Sequence, residues 1–156
     1  MGSGPGREDS MHAHDSFDLK RFLQAQENTY DRALAELRAG RKTSHWIWYV
    51  FPQIDGLGRS PAARHYAIKS LAEARAYLAH PVLGARLREC TRAMLALQGL
   101  TAHEILGDPD DLKFCSSMTL FEHAAEDNDL FGRAIDTYFA GRRDAMTLMI
   151  LGADGL

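Results

Sequence analysis

The sequence predicts an all-α fold, a compact single domain of about seven or eight mostly short helices. Three observations predict it. From Phe17 onward, apolar residues recur at threes and fours almost without a break. Helix-start residues (Ser, Thr or Asp, several with Glu three places on) and helix-stop glycines punctuate that pattern at short intervals. Neither βα alternation, nor a hairpin dipeptide between strand-like runs, nor a repeat of fixed period is found.

The elements follow in order. Leu19, Phe22 and Leu23, then Tyr30, Ala33, Leu34 and Leu37, mark two helices or one kinked helix ending at Gly40. "WIWYVF" is β-prone, but a lone strand has no partner, so a short helix capped by Thr43 or Ser44 and stopped before Pro52 is expected. Ser60 with Pro61 opens another, and Ser70 with Glu73 makes a capping box for a helix that must stop before Pro81. Pro81 opens the strongest periodic run, Val82 to Leu97, closed by Gly99. Thr101 with Glu104 caps a short helix, and Asp108-Pro109 starts one carrying Asp110 and Asp111 in its first turn, where carboxylates suit the positive helix end. Asp127 or Asn128 caps the next, and Asp144 caps a terminal one.

The chain of 156 residues is long enough to bury a core without staples, and residues 17–156 are expected to form it. Residues 1–16 read as a disordered arm, in part an expression leader, with Met11 an alternative start and a His12/His14 pair too sparse to hold a metal. Cys90 and Cys115 lie in apolar helical stretches without metal-ligand spacing, which suits a reduced, cytoplasmic compartment. The net charge is -3 and basic residues are scattered, which disfavours a nucleic acid polymer as partner. No apolar run is long enough to span a bilayer, and no membrane partner is expected.

Three stretches carry candidate chemistry. In "SHWIWYVFPQIDGLGRS", helical spacing puts His45, Trp48 and Tyr49 on one face and Trp46 and Val50 on another, so one face is core and the other lines a cleft, or all are core. Its loop, with Gly56, Gly58 and Arg59 and with Lys42 upstream, offers free N–H groups to an anion, or is simply a tight turn. It lacks the endings of a P-loop or a dinucleotide fingerprint. In "DDLKFCSSMTLF", Lys113, Ser116 and Ser117 meet on one helix face, and Ser and Thr are poor mid-helix residues, so the stretch marks a site or a close packing over small side chains. Glu73, Glu122 and Asp144 are the carboxylates for acid–base work, and His80 either serves a helix end or reaches a ligand. Signatures of zinc hydrolases and serine hydrolases are not found, and neither metal nor cofactor is expected.

The stretches "FLQAQENTYDRALAELRAGRKTSHWIWYVFPQIDGLGRSPAARHYAI", "EARAYLAHPVLGARL", "DDLKFCSSMTLF" and "GRRDAMTLMIL" closely resemble the DUF1810 family, a bacterial domain of unknown function. The resemblance covers Phe17 to about Leu151 and implies a small all-helical fold without an assigned activity. Among the positions it matches are Lys42, His45, Trp46, Trp48, Gln53, Gly56, Gly58, Glu73, His80, Lys113, Ser116 and Ser117. More distantly, the order of an aromatic-Pro segment, a helical Glu and a Lys-Phe helix is similar to that of NADAR-type N-glycosidases, which act on ribosyl compounds.

Two functions are therefore expected as alternatives. The first is binding or hydrolysis of a small anionic, nucleotide- or ribosyl-like molecule. Trp46 or Trp48 would stack on its planar part, with Gln53 and His80 near it. Gly56, Gly58, Arg59, Lys42, Lys113 and the two serines would hold its charge, and His45 and Glu73 would supply acid–base groups. The second is a non-catalytic module whose exposed aromatics dock a protein partner, the partner unknown.

Overall fold

The computed structural model describes residues 15–127 and 129–153 and is all-helical. Among these residues ten helices are present: α1 Lys20–Gln26, α2 Tyr30–Ala39, α3 Ile47–Val50, α4 Pro61–His65, α5 Leu71–Ala79, α6 Leu83–Ala96, α7 Ala102–Leu106, α8 Asp110–Ala124, α9 Asp129–Phe139 and α10 Ala145–Ala153. The number exceeds the expectation because α3, α4 and α7 are single turns of four or five residues, too short to show a period of their own.

Helix α8 is the axis of the molecule, in contact with α3, α5, α7, α9 and α10. Its buried positions run Phe114, Cys115, Ser116, Ser117, Met118, Thr119, Leu120 and Phe121, all round the helix, so no amphipathic stripe is visible in its sequence. The small polar residues in that run let neighbours approach closely. The hydroxyls of Ser116 and Thr119 donate back to the carbonyls of Leu112 (3.2 Å) and Cys115 (2.9 Å), so those two reach no other helix by donation.

A chain of rings crosses the core from α1 to α9. Phe22 meets Tyr77 edge-on at 5.1 Å, Tyr77 meets Phe121 at 5.4 Å, and Phe121 meets Phe131 at 6.0 Å. Full burial of each such side chain contributes on the order of 2–3 kcal/mol. Gln26, 1% exposed, fastens α1 to α3 by donating at 2.7 Å to the Tyr49 carbonyl, a helix-end acceptor that also takes the Tyr77 hydroxyl at 3.4 Å.

Most cap expectations are met. Ser60 accepts from the Ala63 N–H, Asp144 from the Thr147 N–H, and Thr101 with Glu104 forms a complete capping box. Two differ. Helix α3 begins after Trp46 and has no side-chain cap; the Ser44 hydroxyl goes instead to Glu36. At α5, Ser70 caps as expected, but Glu73 does not return the bond to Ser70, because Arg21 and the Lys69 N–H hold its two oxygens. The expected arm lies outside the described residues except for Asp15 and Ser16, and Asp15 is no loose end: its carboxylate accepts the Leu19 N–H at 2.5 Å and so opens α1. The His12/His14 pair and Asn128 also lie outside them.

Candidate functional site

Residues from α2, α3 and α8 converge where the α2–α3 connection passes the start of α8. Glu36 organises that connection. Its Oε1 accepts from the Thr43 N–H (2.8 Å), the Ser44 N–H (3.0 Å) and Trp46 Nε1 (2.9 Å), and its Oε2 from the Ser44 hydroxyl (2.5 Å). Burial alone would raise the Glu36 carboxyl, but these four donors outweigh it and bring the group down to about 2. The segment from Thr43 to Trp46 is thereby clamped to α2.

Lys42, just before the clamp, points into the protein. Its ammonium lies 2.7 Å from Asp110, donates to the Ser44 carbonyl at 2.6 Å and sits 5.0 Å from the Trp46 ring centre, with only 6% of its side chain exposed. Asp110 also faces Lys113 at 3.7 Å, one helical turn on. Lys113 in turn lies over the Trp48 ring, 5.1 Å from its centre. Two ammonium groups thus share the Asp110 carboxylate beside an aromatic face.

Two polar side-chain atoms on these elements are buried without a protein partner: Trp48 Nε1 on α3 and Ser117 Oγ on α8. A buried N–H or hydroxyl left unpaired costs roughly 1–3 kcal/mol, so such atoms call for a partner, an ordered water or another molecule. Ser117 follows Lys113 by four residues, hence on the same face of α8. Lys113 keeps 24% of its side chain exposed.

The structure therefore gathers Lys42, Trp46, Trp48 and Lys113, and adds Asp110 and Glu36, while Ser117 joins them only by its place one helical turn beyond Lys113. Asp110 was expected only to complement the helix dipole, although its place three residues before Lys113 is the signal for the pair. The expectation that Tyr49 shares an open face with Trp48 does not hold: Tyr49 is buried, packed 5.3 Å from Tyr66, while His45 is exposed.

The remaining candidates stand elsewhere. The glycines of the 55–60 loop serve packing. Gly56 has φ +106°, and a Cβ there would lie 3.3 Å from Ile150; a Cβ at Gly58 would lie 2.5 Å from that of Ala63. The N-terminus of α4 has its Ala63 N–H taken by Ser60, and α4 has only five residues, so it is no anion cradle. Lys42 is drawn to Asp110 rather than to that loop. Arg59 is exposed. The Gln53 carbonyl pairs with the Ile68 N–H at 2.8 Å beside the isolated Ile54–Ile68 bridge, and fixes the loop's base. Ser116 is turned back on Leu112.

His80 caps α6: its Nδ1 accepts from the Val82 and Leu83 N–H groups at 3.1 and 3.2 Å, a role that needs the neutral ring, and burial lowers its pKa accordingly. Glu73, 1% exposed, is paired at 2.6 Å with Arg21, which also donates to the carbonyls of His65 and Ala67. That carboxylate is committed to joining α1, α5 and the 65–69 turn.

A second feature has no counterpart in the sequence reading. A cavity of about 810 Å³ opens between α5, α6 and the α8–α9 corner, lined by Arg75, Arg88, Arg92, Arg133, Glu126 and Asp127 around an apolar floor, and by none of the residues singled out above. No group of metal ligands occurs among the described residues, and no helix among them is long and apolar enough to cross a membrane.

Comparison with known proteins adds a family. The model of a family described as "Protein of unknown function (DUF1810)" matches residues 16–151. The chain is similar to a conserved hypothetical protein, Rv1873, from Mycobacterium tuberculosis, whose crystal structure at 1.38 Å superposes with a TM-score of 0.88 at 52% identity, over 88% of this chain and 99% of that one. No curated protein matches.

Proposed function

The chain belongs to the DUF1810 family, and from that premise, which brings no activity with it, we propose that it binds a small anionic molecule of nucleotide- or ribosyl-like kind at the Trp48–Lys113 pair. The observation that supports this most is the Lys113 ammonium, held only in part by Asp110, over the ring of Trp48, whose Nε1 is buried without a protein partner; Ser117 Oγ, one helical turn beyond Lys113, is likewise partnerless. An oxyanion is the ligand type that satisfies an ammonium, an indole N–H and a hydroxyl together. Asp110 and the Glu36 clamp fix the positions of Lys42 and Trp46 behind it.

The reading is of binding rather than hydrolysis. Of the two groups expected to supply acid–base chemistry, Glu73 is enclosed with Arg21, and His45 stands exposed, its carbonyl accepting from the Tyr49 hydroxyl. A docking module built on exposed aromatics has less support, since Trp46, Tyr49 and Phe51 are all buried.

Thermal-shift titration with ribose 5-phosphate, nucleoside monophosphates and ADP-ribose tests the proposal. Ligand at about a hundred times its Kd stabilises by roughly 2.7 kcal/mol, which for a chain of this size raises Tm by about 5–10 °C. The shift should vanish in Lys113→Met and weaken in Ser117→Ala. No response to any of these compounds, or an equal response in Lys113→Met, overturns it.

A further inference from the structure

The arginine-lined cavity sets four cations against two carboxylates in a protein whose net charge is -3. Four guanidinium groups from three helices, Arg75 on α5, Arg88 and Arg92 on α6, and Arg133 on α9, face two carboxylates, Glu126 and Asp127. Arg88 is anchored, its Nη1 donating to the Leu78 carbonyl at 3.3 Å near the end of α5. Arg75 and Arg92 make no hydrogen bond or ion pair among the described residues, so their planar donor faces are available. Arg88 and Arg92 are one turn apart on the same face of α6, about 6 Å along the axis.

Arg75 and Arg92 lie beside other arginines without a carboxylate of their own among the described residues, and nothing in the packing of α5, α6 and α9 requires arginine at these two exposed positions. Several guanidinium forks around one cavity suit an oxyanion with more than one charged centre, each taken bidentately. The volume, about 810 Å³, is in the range of small-molecule sites, and Leu78 and Leu130 leave an apolar floor for an uncharged part.

We propose that this cavity is a second binding site, distinct from the Trp48–Lys113 pair, for a small molecule carrying a diphosphate or longer phosphate chain. Its residues share none with that pair, so either site stands if the other fails.

Isothermal titration of the full chain with inorganic tripolyphosphate, pyrophosphate and orthophosphate tests it. Tripolyphosphate and pyrophosphate should bind, with orthophosphate at least about tenfold weaker, because one phosphate cannot span two forks. Arg75→Gln with Arg92→Gln changes only exposed side chains and should raise the Kd for tripolyphosphate at least tenfold at unchanged Tm, whereas Lys113→Met should leave it as it is. Equal affinity for all three ions, no heat at millimolar tripolyphosphate, or undiminished binding by the double variant overturns the proposal. So does binding restricted to phosphoinositide vesicles or RNA, since that makes the surface a polymer or membrane contact.

Discussion

Removing the Glu36 carboxylate puts the organisation of the site to a quantitative test. In Glu36→Ala, Trp46 Nε1, on a side chain 1% exposed, loses its acceptor at 2.9 Å and cannot reach water without moving the indole. That alone costs about 1–3 kcal/mol. The Ser44 and Thr43 N–H groups rehydrate more easily, and their lost charge-assisted bonds add about 1 kcal/mol between them. The sum is about 3 kcal/mol, or roughly 6–12 °C in Tm for a domain of this size. Glu36→Gln keeps a carbonyl oxygen in the Oε1 position but gives up the charge and sets an amide donor where Oε2 accepts the Ser44 hydroxyl, so about 1 kcal/mol is lost at pH 7.

Acid adds an independent check. The folded-state carboxyl sits at about 2, below its ordinary 4.5, so its contribution is complete above pH 4.5 and disappears as pH falls through about 2. Urea unfolding of the three proteins at pH 7 and pH 3 should therefore show the gap between wild type and Glu36→Gln narrowing in acid. Destabilisation of Glu36→Ala by less than about 0.5 kcal/mol, or a gap indifferent to pH, would refute the account of the clamp.

Two further outcomes are expected. Glu73→Ala leaves the Arg21 guanidinium buried without its charge partner and should cost about 3–5 kcal/mol by chemical denaturation, while Arg21→Met with Glu73→Leu should recover much of it. Burial pushes Cys90 up to about 12 and Cys115 up to about 11, so neither thiol should react with a disulfide reagent at pH 8 until the protein is unfolded. Because both folded values exceed the unfolded one, the two thiols favour the native state less and less as pH rises past about 9, and alkaline stability should fall there.

The sequence announces those parts of the fold whose causes are local. Ser60, Thr101 with Glu104, and Asp144 act on N–H groups three residues away, and each does what its spacing predicts. Helix α8 conceals its role because it is enclosed on every side, and α3 conceals its cap because the hydroxyl of Ser44 answers to a residue of another helix. The Ser70–Glu73 box is half-made because a buried guanidinium from α1 competes for the same carboxylate. Trp48 and Lys113 could each be picked out from residue type, but their meeting, and the Lys42–Asp110 pair behind it, joins positions far apart in the chain. The glycines of the 55–60 loop left two readings open, a tight turn or an anion cradle, because backbone freedom and close packing leave the same mark in a sequence. The arginine cavity was invisible for a related reason: four cations scattered along three helices become neighbours only when those helices pack.

The two tryptophans differ in one respect with a practical consequence. Trp46 is enclosed and bonded to a carboxylate, whereas Trp48 is half-buried under an ammonium group with its indole N–H unused. The protein thus contains two intrinsic fluorophores in unlike surroundings, one fixed by the core and one able to register what arrives at Lys113. A Trp46→Phe protein would emit from Trp48 alone, and a change in its colour or brightness would signal occupancy without any attached label.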